Sequence, residues 1–307
     1  MKTGLVIKST GSRYRVKEDG GGITECVIKG KFRTQGIKGT NPVAVGDRVV
    51  FEQDEGQTGI IKEISERKNY IIRKSSNLSK QYQIIASNID QAVLLISLRM
   101  PETQVEFIDR FLVSAEAFRI PVSLIFNKTD LYNAEDKERL AHLLNVYSAI
   151  GYACYCLSLE SLEGFDKVKA LFKKNISLVS GNSGVGKSTL LKAIDPSLQL
   201  KVARVSDYHK QGRHTTTFAE MFLLPDGGYI IDTPGIKGFG LVEFEKEEIY
   251  HFFPEIFRIS SGCRYNNCLH FDEPGCHVKE AVEKGDIEWT RYRSYLNIMF
   301  DSNSKYR

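Results

Sequence analysis

Three glycines, a lysine and a hydroxyl fall within eight residues of this 307-residue chain: Gly181, Gly184, Gly186, Lys187 and Ser188. The stretch Gly181-Asn182-Ser183-Gly184-Val185-Gly186-Lys187-Ser188-Thr189 has the spacing G-x-x-x-x-G-K-[ST] of a phosphate-cradling loop. The glycines allow backbone conformations that a Cβ would obstruct, and so turn several N–H groups toward one centre. Lys187 can reach the β- and γ-phosphates of a nucleotide, and Ser188 can place its hydroxyl on Mg²⁺. The apolar run Ile176–Ser180 predicts a buried parallel strand before the loop, and Leu190–Ile194 predicts a helix after it.

A second constellation says which base that nucleotide carries. The apolar run Pro121–Phe126 ends at Asn127-Lys128-Thr129-Asp130, where open α/β sheets bind ligands. The Asp130 carboxylate can accept from both N1–H and the exocyclic amine of guanine, a donor pair that adenine lacks. Asn127 can bridge to the base or to the phosphate loop, and the Lys128 stem can lie over the ring. Ser158, after a strand-like run from Tyr152 to Tyr155, is a further candidate base contact, against the plainer reading of an ordinary strand end.

Two more stretches complete the set. Gly228–Ile231 leads into Asp232-Thr233-Pro234-Gly235. This predicts a strand ending in a Mg²⁺-side Asp232, with Gly235 offering its N–H to the γ-phosphate. Between the two motifs, Gly212-Arg213-His214-Thr215-Thr216-Thr217 lies in a polar segment without periodicity. There a switch threonine, Thr216 with Thr215 in reserve, would join the Mg²⁺ once the γ-phosphate is bound. Position 236, where related enzymes use Gln to orient the attacking water, holds Ile. His214 is the nearest candidate for that task, against the reading of a surface histidine.

Cys263-x₄-Cys268-x-His270-x₅-Cys276 offers three thiolates and an imidazole. That set suits one structural Zn²⁺ with no open position for a catalytic water. Cys26, Cys154 and Cys156 read as core filling. The segment from Val278 to Ile298 is predicted helical, and its Trp289, Tyr292 and Tyr295 fit helix packing at least as well as RNA stacking.

The elements around these sites divide the chain. Leu5–Ile7, Tyr14–Val16, Glu25–Ile28, Arg48–Phe51 and Gly59–Ile64 predict five short strands, which suit a small closed barrel such as an OB-fold. Residues 1–40 carry nine Lys/Arg against three Asp/Glu. Lys29, Lys31, Arg33 and Lys38 would attract a phosphate backbone or simply form a solvated face. The polar stretch Arg67–Gln83 reads as a linker. From Asn88 onward, strands such as Gln91–Ile96 alternate with helices, among them Val105–Phe118 with Phe107, Ile108, Phe111 and Leu112 on one stripe. Hydrophobic content of 42% and charged content of 26% describe an ordinary globular chain. No apolar run approaches the roughly 20 residues that span a bilayer, and no leader or lipidation motif is visible. The expectation is a cytoplasmic monomer that does not engage a membrane.

Motif order is the last clue. The Asn127–Asp130 motif precedes Gly181, whereas in ordinary GTPases it comes last; the same sheet still assembles from a circularly permuted chain. Together the Gly181–Thr189, Gly212–Thr217 and Asp232–Gly235 motifs, their permuted order, the basic β domain in front and the Cys/Cys/His/Cys cluster behind resemble the circularly permuted GTPase family RsgA, of the YjeQ/YloQ type. The expected organisation is an OB-fold over 1–68, a permuted α/β P-loop GTPase domain over 69–240, and a mainly helical zinc-binding domain over 241–307. The resemblance implies a ribosome-stimulated GTPase acting in late maturation of the small ribosomal subunit. It further implies binding to rRNA near the decoding region and help in releasing another assembly factor. The competing reading is a nucleotide-gated RNA- or ribosome-binding module in which hydrolysis is incidental; an ATPase is disfavoured by Asp130.

Overall fold

The computed structural model describes residues 1–28, 42–53, 57–74, 82–198, 219–232 and 245–300. All five strands expected in the first segment are present: β1 (Lys2–Ser9), β2 (Tyr14–Glu18), β3 (Ile23–Ile28), β4 (Arg48–Glu52) and β5 (Gly59–Ile64). They pair in the order β1-β2-β3-β5-β4, and β4 returns to β1 to close a barrel. β3 and β5 run parallel and the other pairs antiparallel. Alternation puts Val6, Tyr14, Val16, Cys26, Val49, Phe51 and Ile61 inside, with Val43 from the connecting loop. Burial pushes the Cys26 thiol up to about 11, in keeping with a packing role.

The stretch expected as a linker contributes two strands to a sheet. β6 (Tyr70–Lys74) and β7 (Tyr82–Ser87) form an antiparallel hairpin. Its polar residues hid an apolar pattern: Ile71 and Ala86 are fully buried in the main core. The joint to the barrel is a buried ion pair. Arg67 donates to both Asp47 carboxylate oxygens at 2.6 Å, and Ser87 Oγ donates to Asp47 Oδ1 at 2.5 Å. That bidentate geometry locks the barrel loop onto the hairpin.

The central sheet continues from β8 (Gln91–Ile96) through β9 (Val122–Asn127), β10 (Ala153–Leu157), β11 (Ile176–Gly181), β12 (Glu220–Leu223) and β13 (Tyr229–Asp232). Its order is β10-β9-β8-β11-β13-β12, with all neighbours parallel except β12–β13. β8 shows why the run had to be apolar throughout. Ala92, Leu94 and Ile96 enter the core beneath α1 (Val105–Ala117) and α2 (Ala134–Ile150), whereas Val93 and Leu95 enter the opposite core. The second core is closed by α3 (Phe165–Leu171) and α4 (Lys187–Ile194). Beyond β12 the sheet does not stop, because β12 pairs with β1 of the barrel at Lys8↔Glu220. Lys8 Nζ lies 2.8 Å from Glu220 Oε2 there. Cys154 and Cys156 are half-buried on the edge strand β10.

The C-terminal region is helical: a 3₁₀ segment Lys246–Phe252, α5 (Pro254–Ser260), α6 (His277–Lys284) and α7 (Trp289–Phe300). The expected single helix from Val278 to Ile298 is two, because Gly285 caps α6 at φ 81°. A fully buried Arg291 fastens this region to α1. Its Nη1 donates to Asp109 Oδ1 at 2.6 Å and its Nε to Glu255 Oε1 at 2.7 Å. The guanidinium also lies 4.6 Å from the Phe253 ring centroid. Among the described residues, no helix is long and apolar enough to cross a membrane.

Candidate functional site

The phosphate loop connects β11 to α4, and Lys187 and Ser188 are the first two residues of that helix. Gly181 and Gly186 adopt φ of 140° and 108°. A Cβ on Gly181 would come within 2.5 Å of Leu95 O, and one on Gly186 within 2.3 Å of Asn127 Nδ2. Only glycine fits these two positions. Lys187 Nζ donates to Gly181 O at 2.6 Å and Asn182 O at 2.7 Å, and burial lowers its pKa. The ammonium is thereby held at the middle of the loop. Asp232 ends β13, which pairs with β11 through Leu178↔Ile231. Register therefore brings Asp232 to the end of the sheet where the loop and Ser188 lie.

The base-reading motif arrives from the other side of β8. Asn127, 1% exposed at the end of β9, donates from Nδ2 to Val185 O at 2.9 Å. Of the two roles open to it, the structure shows the bridge to the phosphate loop. Its Oδ1 is buried without a partner among the described residues and can take a donor from a bound nucleotide. Lys128, at φ 64°, spans the same gap: its Nζ donates to Gly184 O at 2.9 Å and also to Met100 O. Thr129, Asp130 and Leu131 then form one 3₁₀ turn. Asn133 and Asp136 follow as a reciprocal capping box that starts α2. Asp130 is exposed and accepts from Ser158 Oγ at 2.7 Å. Ser158 is buried, and its hydroxyl meets the Asp130 carboxylate. Thr189, Ser183 and Gly184 sit on the exposed rim of the loop. Thr215, Thr216, His214 and Gly235, with Lys29, Lys31, Arg33 and Lys38, lie outside the described residues.

Sequence reading missed the Ser97–Thr103 loop, which supplies Met100 O to Lys128. It also missed Tyr132, whose hydroxyl bonds to Asn127 O. Neither carries a motif; backbone carbonyls have no sequence signal, and a lone tyrosine after a turn has none either.

The four donors of Cys263, Cys268, His270 and Cys276 all lie within 4.8 Å of one another. Cys263 Sγ and Cys276 Sγ are 3.5 and 3.6 Å from His270 Nδ1, and 3.9 Å from each other. A tetrahedral ion with metal–sulfur bonds of about 2.3 Å sets donors roughly 3.5–3.8 Å apart, so the cluster can bind a metal ion. His270 Nε2 is buried and unpartnered, which leaves Nδ1 as the ligand atom. Burial pushes the Cys268 thiol up to about 12 and raises that of Cys276 as well. A cation is what would draw off those protons. The loop is braced by its surroundings. Tyr292 and Tyr295, both buried, donate to His270 O at 2.6 Å and Leu269 O at 2.5 Å. Glu273 accepts from Leu269, Phe271 and Asp272 N–H groups. These two tyrosines serve helix packing and the metal loop, and Trp289 is exposed.

A loop of phosphate-cradling spacing, bonded through Asn127 and Lys128 to the Asn127–Leu131 turn on a sheet whose motif order is rotated, is the arrangement of a circularly permuted P-loop GTPase. The RsgA GTPase family model matches residues 64–242, and the RsgA N-terminal domain matches residues 3–61. The chain belongs to the RsgA GTPase family. It is 55% identical to the small ribosomal subunit biogenesis GTPase RsgA 2 of Bacteroides thetaiotaomicron, covering 99% of this chain and 98% of that one. The small ribosomal subunit biogenesis GTPase RsgA of Christiangramia forsetii is 55% identical with the same coverage. Among solved structures, YjeQ from Thermotoga maritima superposes with a TM-score of 0.81 at 35% identity, covering 99% of both chains. YloQ, described as a circularly permuted GTPase, gives 0.76 at 30% identity, covering 99% of this chain and 96% of that one.

Proposed function

We propose that this chain hydrolyses GTP to GDP and phosphate when docked on the small ribosomal subunit, and that turnover times its own release and that of another assembly factor late in subunit maturation. The observation that carries the reading is the Asn127–Val185 bond, which would join base reading to phosphate binding, in a chain 54–55% identical to relatives named for small-subunit biogenesis. Gly181–Thr189, Asn127–Asp130, Ser158, Asp232 and Gly235 would hold the nucleotide, with Ser188, Thr216 and Asp232 around its Mg²⁺. The proposed units are 1–68, 69–240 and 241–307, the first meeting rRNA through its basic residues. The protein would act as a cytoplasmic monomer. Ile236 cannot orient a water, so His214 is assigned that task.

Turnover measured with and without purified small subunits tests this reading. Strong stimulation by subunits, lost in His214→Ala while GTP binding persists, is the expected result. Turnover indifferent to subunits, with subunit affinity still set by the nucleotide, would leave the gated binding module instead.

The metal assigned to the Cys/Cys/His/Cys cluster is Zn²⁺, about one per chain, in a structural role. Cys268→Ser is expected to lose that zinc and loosen the C-terminal helices while nucleotide still binds. Elemental analysis of reduced protein, with proteolysis of 245–300 as the second readout, checks both; a chain free of zinc ends the assignment.

A further inference from the structure

Tyr132 stands immediately after the turn that carries Asp130, and its position is unusual for a residue outside the motif. It is 5% exposed, and its side chain folds back beneath the turn. The hydroxyl donates to Asn127 O at 2.8 Å and accepts from Leu98 N–H at 2.9 Å. Those two partners are the last residue of β9 and a residue just past the end of β8. The first bond closes a ring of chain: it begins at Asn127, runs through Lys128, Thr129, Asp130 and Leu131, and ends on the Tyr132 side chain. Its backbone N–H also bonds to Thr129 O at 3.3 Å, and Leu131 N–H to Lys128 O at 3.0 Å. Asp130 is the exposed tip of a loop fixed at both feet.

We infer that Tyr132 is a positioning residue for guanine recognition, its hydroxyl holding the Asn127–Leu131 turn where the Asp130 carboxylate meets the base. The inference rests on the assignment of Asp130 as the base-reading group. Three restraints then act on one short loop. Asn127 is pinned to Val185 of the phosphate loop, Asp130 to Ser158 at 2.7 Å, and the turn to Leu98, just past β8, through Tyr132. Remove the hydroxyl and Leu98 N–H, on a residue 4% exposed, loses its acceptor. Asn127 O loses a donor at the same time. The turn then has to be ordered by the nucleotide, and that ordering is subtracted from binding.

The test uses the full chain with GDP and with IDP, which lacks only the exocyclic amine. Tyr132→Phe is expected to weaken GDP about tenfold, the effect of one buried hydrogen bond of ordinary net strength. The preference for GDP over IDP should shrink by about threefold or more, because a carboxylate free to shift discriminates less between the two bases. Tyr147→Phe is the control. That tyrosine is fully buried on α2 and donates to Asp109 at 2.9 Å, away from the base turn. It should lower thermal stability and leave the GDP/IDP ratio unchanged.

A third variant, Asp130→Asn, separates the two assumptions. If it keeps the wild-type ratio, the reading of Asp130 fails and the inference falls with it. If it collapses the ratio while Tyr132→Phe keeps both affinity and ratio, only the inference is overturned. An equal shift of the ratio in Tyr147→Phe would overturn it as well. A measurement on the unaltered chain guards against misfolded variants: the Leu98 amide should exchange hydrogen more slowly once GDP binds. No added protection there counts against the role.

Discussion

Lys187→Ala is expected to lower GTP turnover by roughly two to three orders of magnitude at saturating nucleotide, the usual effect of removing one donor aimed at developing charge. The reason lies in where the ammonium sits. It is half-buried and bonded to two carbonyls of its own loop, Gly181 O and Asn182 O, so its charge is already at the centre of the cradle. Burial lowers its pKa, and an incoming phosphate would reverse that penalty by supplying opposite charge. Single-turnover hydrolysis beside a GDP-binding titration separates the loss of chemistry from the loss of affinity. Turnover within a few-fold of wild type would remove Lys187 from the reaction.

Arg291→Met is expected to destabilise the C-terminal helices by about 3–5 kcal/mol, because it leaves buried carboxylates with no cation. Burial opposes the charge on Arg291, but Asp109 and Glu255 outweigh it and raise its pKa further above the ordinary range. Asp109 and Arg291 are both fully buried and lie 182 residues apart in the chain. Breaking the pair should therefore detach the C-terminal helices from α1 as well as loosen them. The chain has a single tryptophan, Trp289, at the start of α7. Its fluorescence during urea unfolding reports this region directly, and an unchanged midpoint would show that the triad contributes little. Replacing all three charged groups with apolar or neutral residues should recover much of the loss.

What the sequence made legible was what periodicity and fixed spacing encode. The five barrel strands, the strand–loop–helix around Gly181 and the Cys263–Cys276 cluster all have such signals, and each is found where expected. The failures share a cause. The β6–β7 hairpin was lost because Arg73, Lys74 and Gln83 mask Ile71 and Ala86, whose burial comes from tertiary packing rather than local pattern. The break at Gly285 was passed over because an isolated glycine inside a helical pattern has only a modest cost. Arg291 stands between Trp289 and Tyr292 with nothing in its immediate sequence to mark it as buried. Its partners Asp109 and Glu255 are far away in sequence, and no short window contains all three.

The continuous sheet has a consequence for the order in which the protein can be made. All five barrel strands lie within the first 64 residues, so a nascent chain can close the barrel early. The β8–β9–β10 half of the central sheet emerges next, with α1 and α2 available to cover one face. β8 must then wait with an open hydrogen-bonding edge until β11 is synthesised, with Gln91 and Ser177 86 residues apart. The barrel likewise waits for β12, which meets it through a contact 212 residues apart. Until those strands arrive, β8 presents an apolar edge of the kind that pairs with other chains. Motif rotation thus exchanges an early-formed phosphate loop for an early-formed base-reading loop, and leaves the nucleotide site as the last part of the sheet to close.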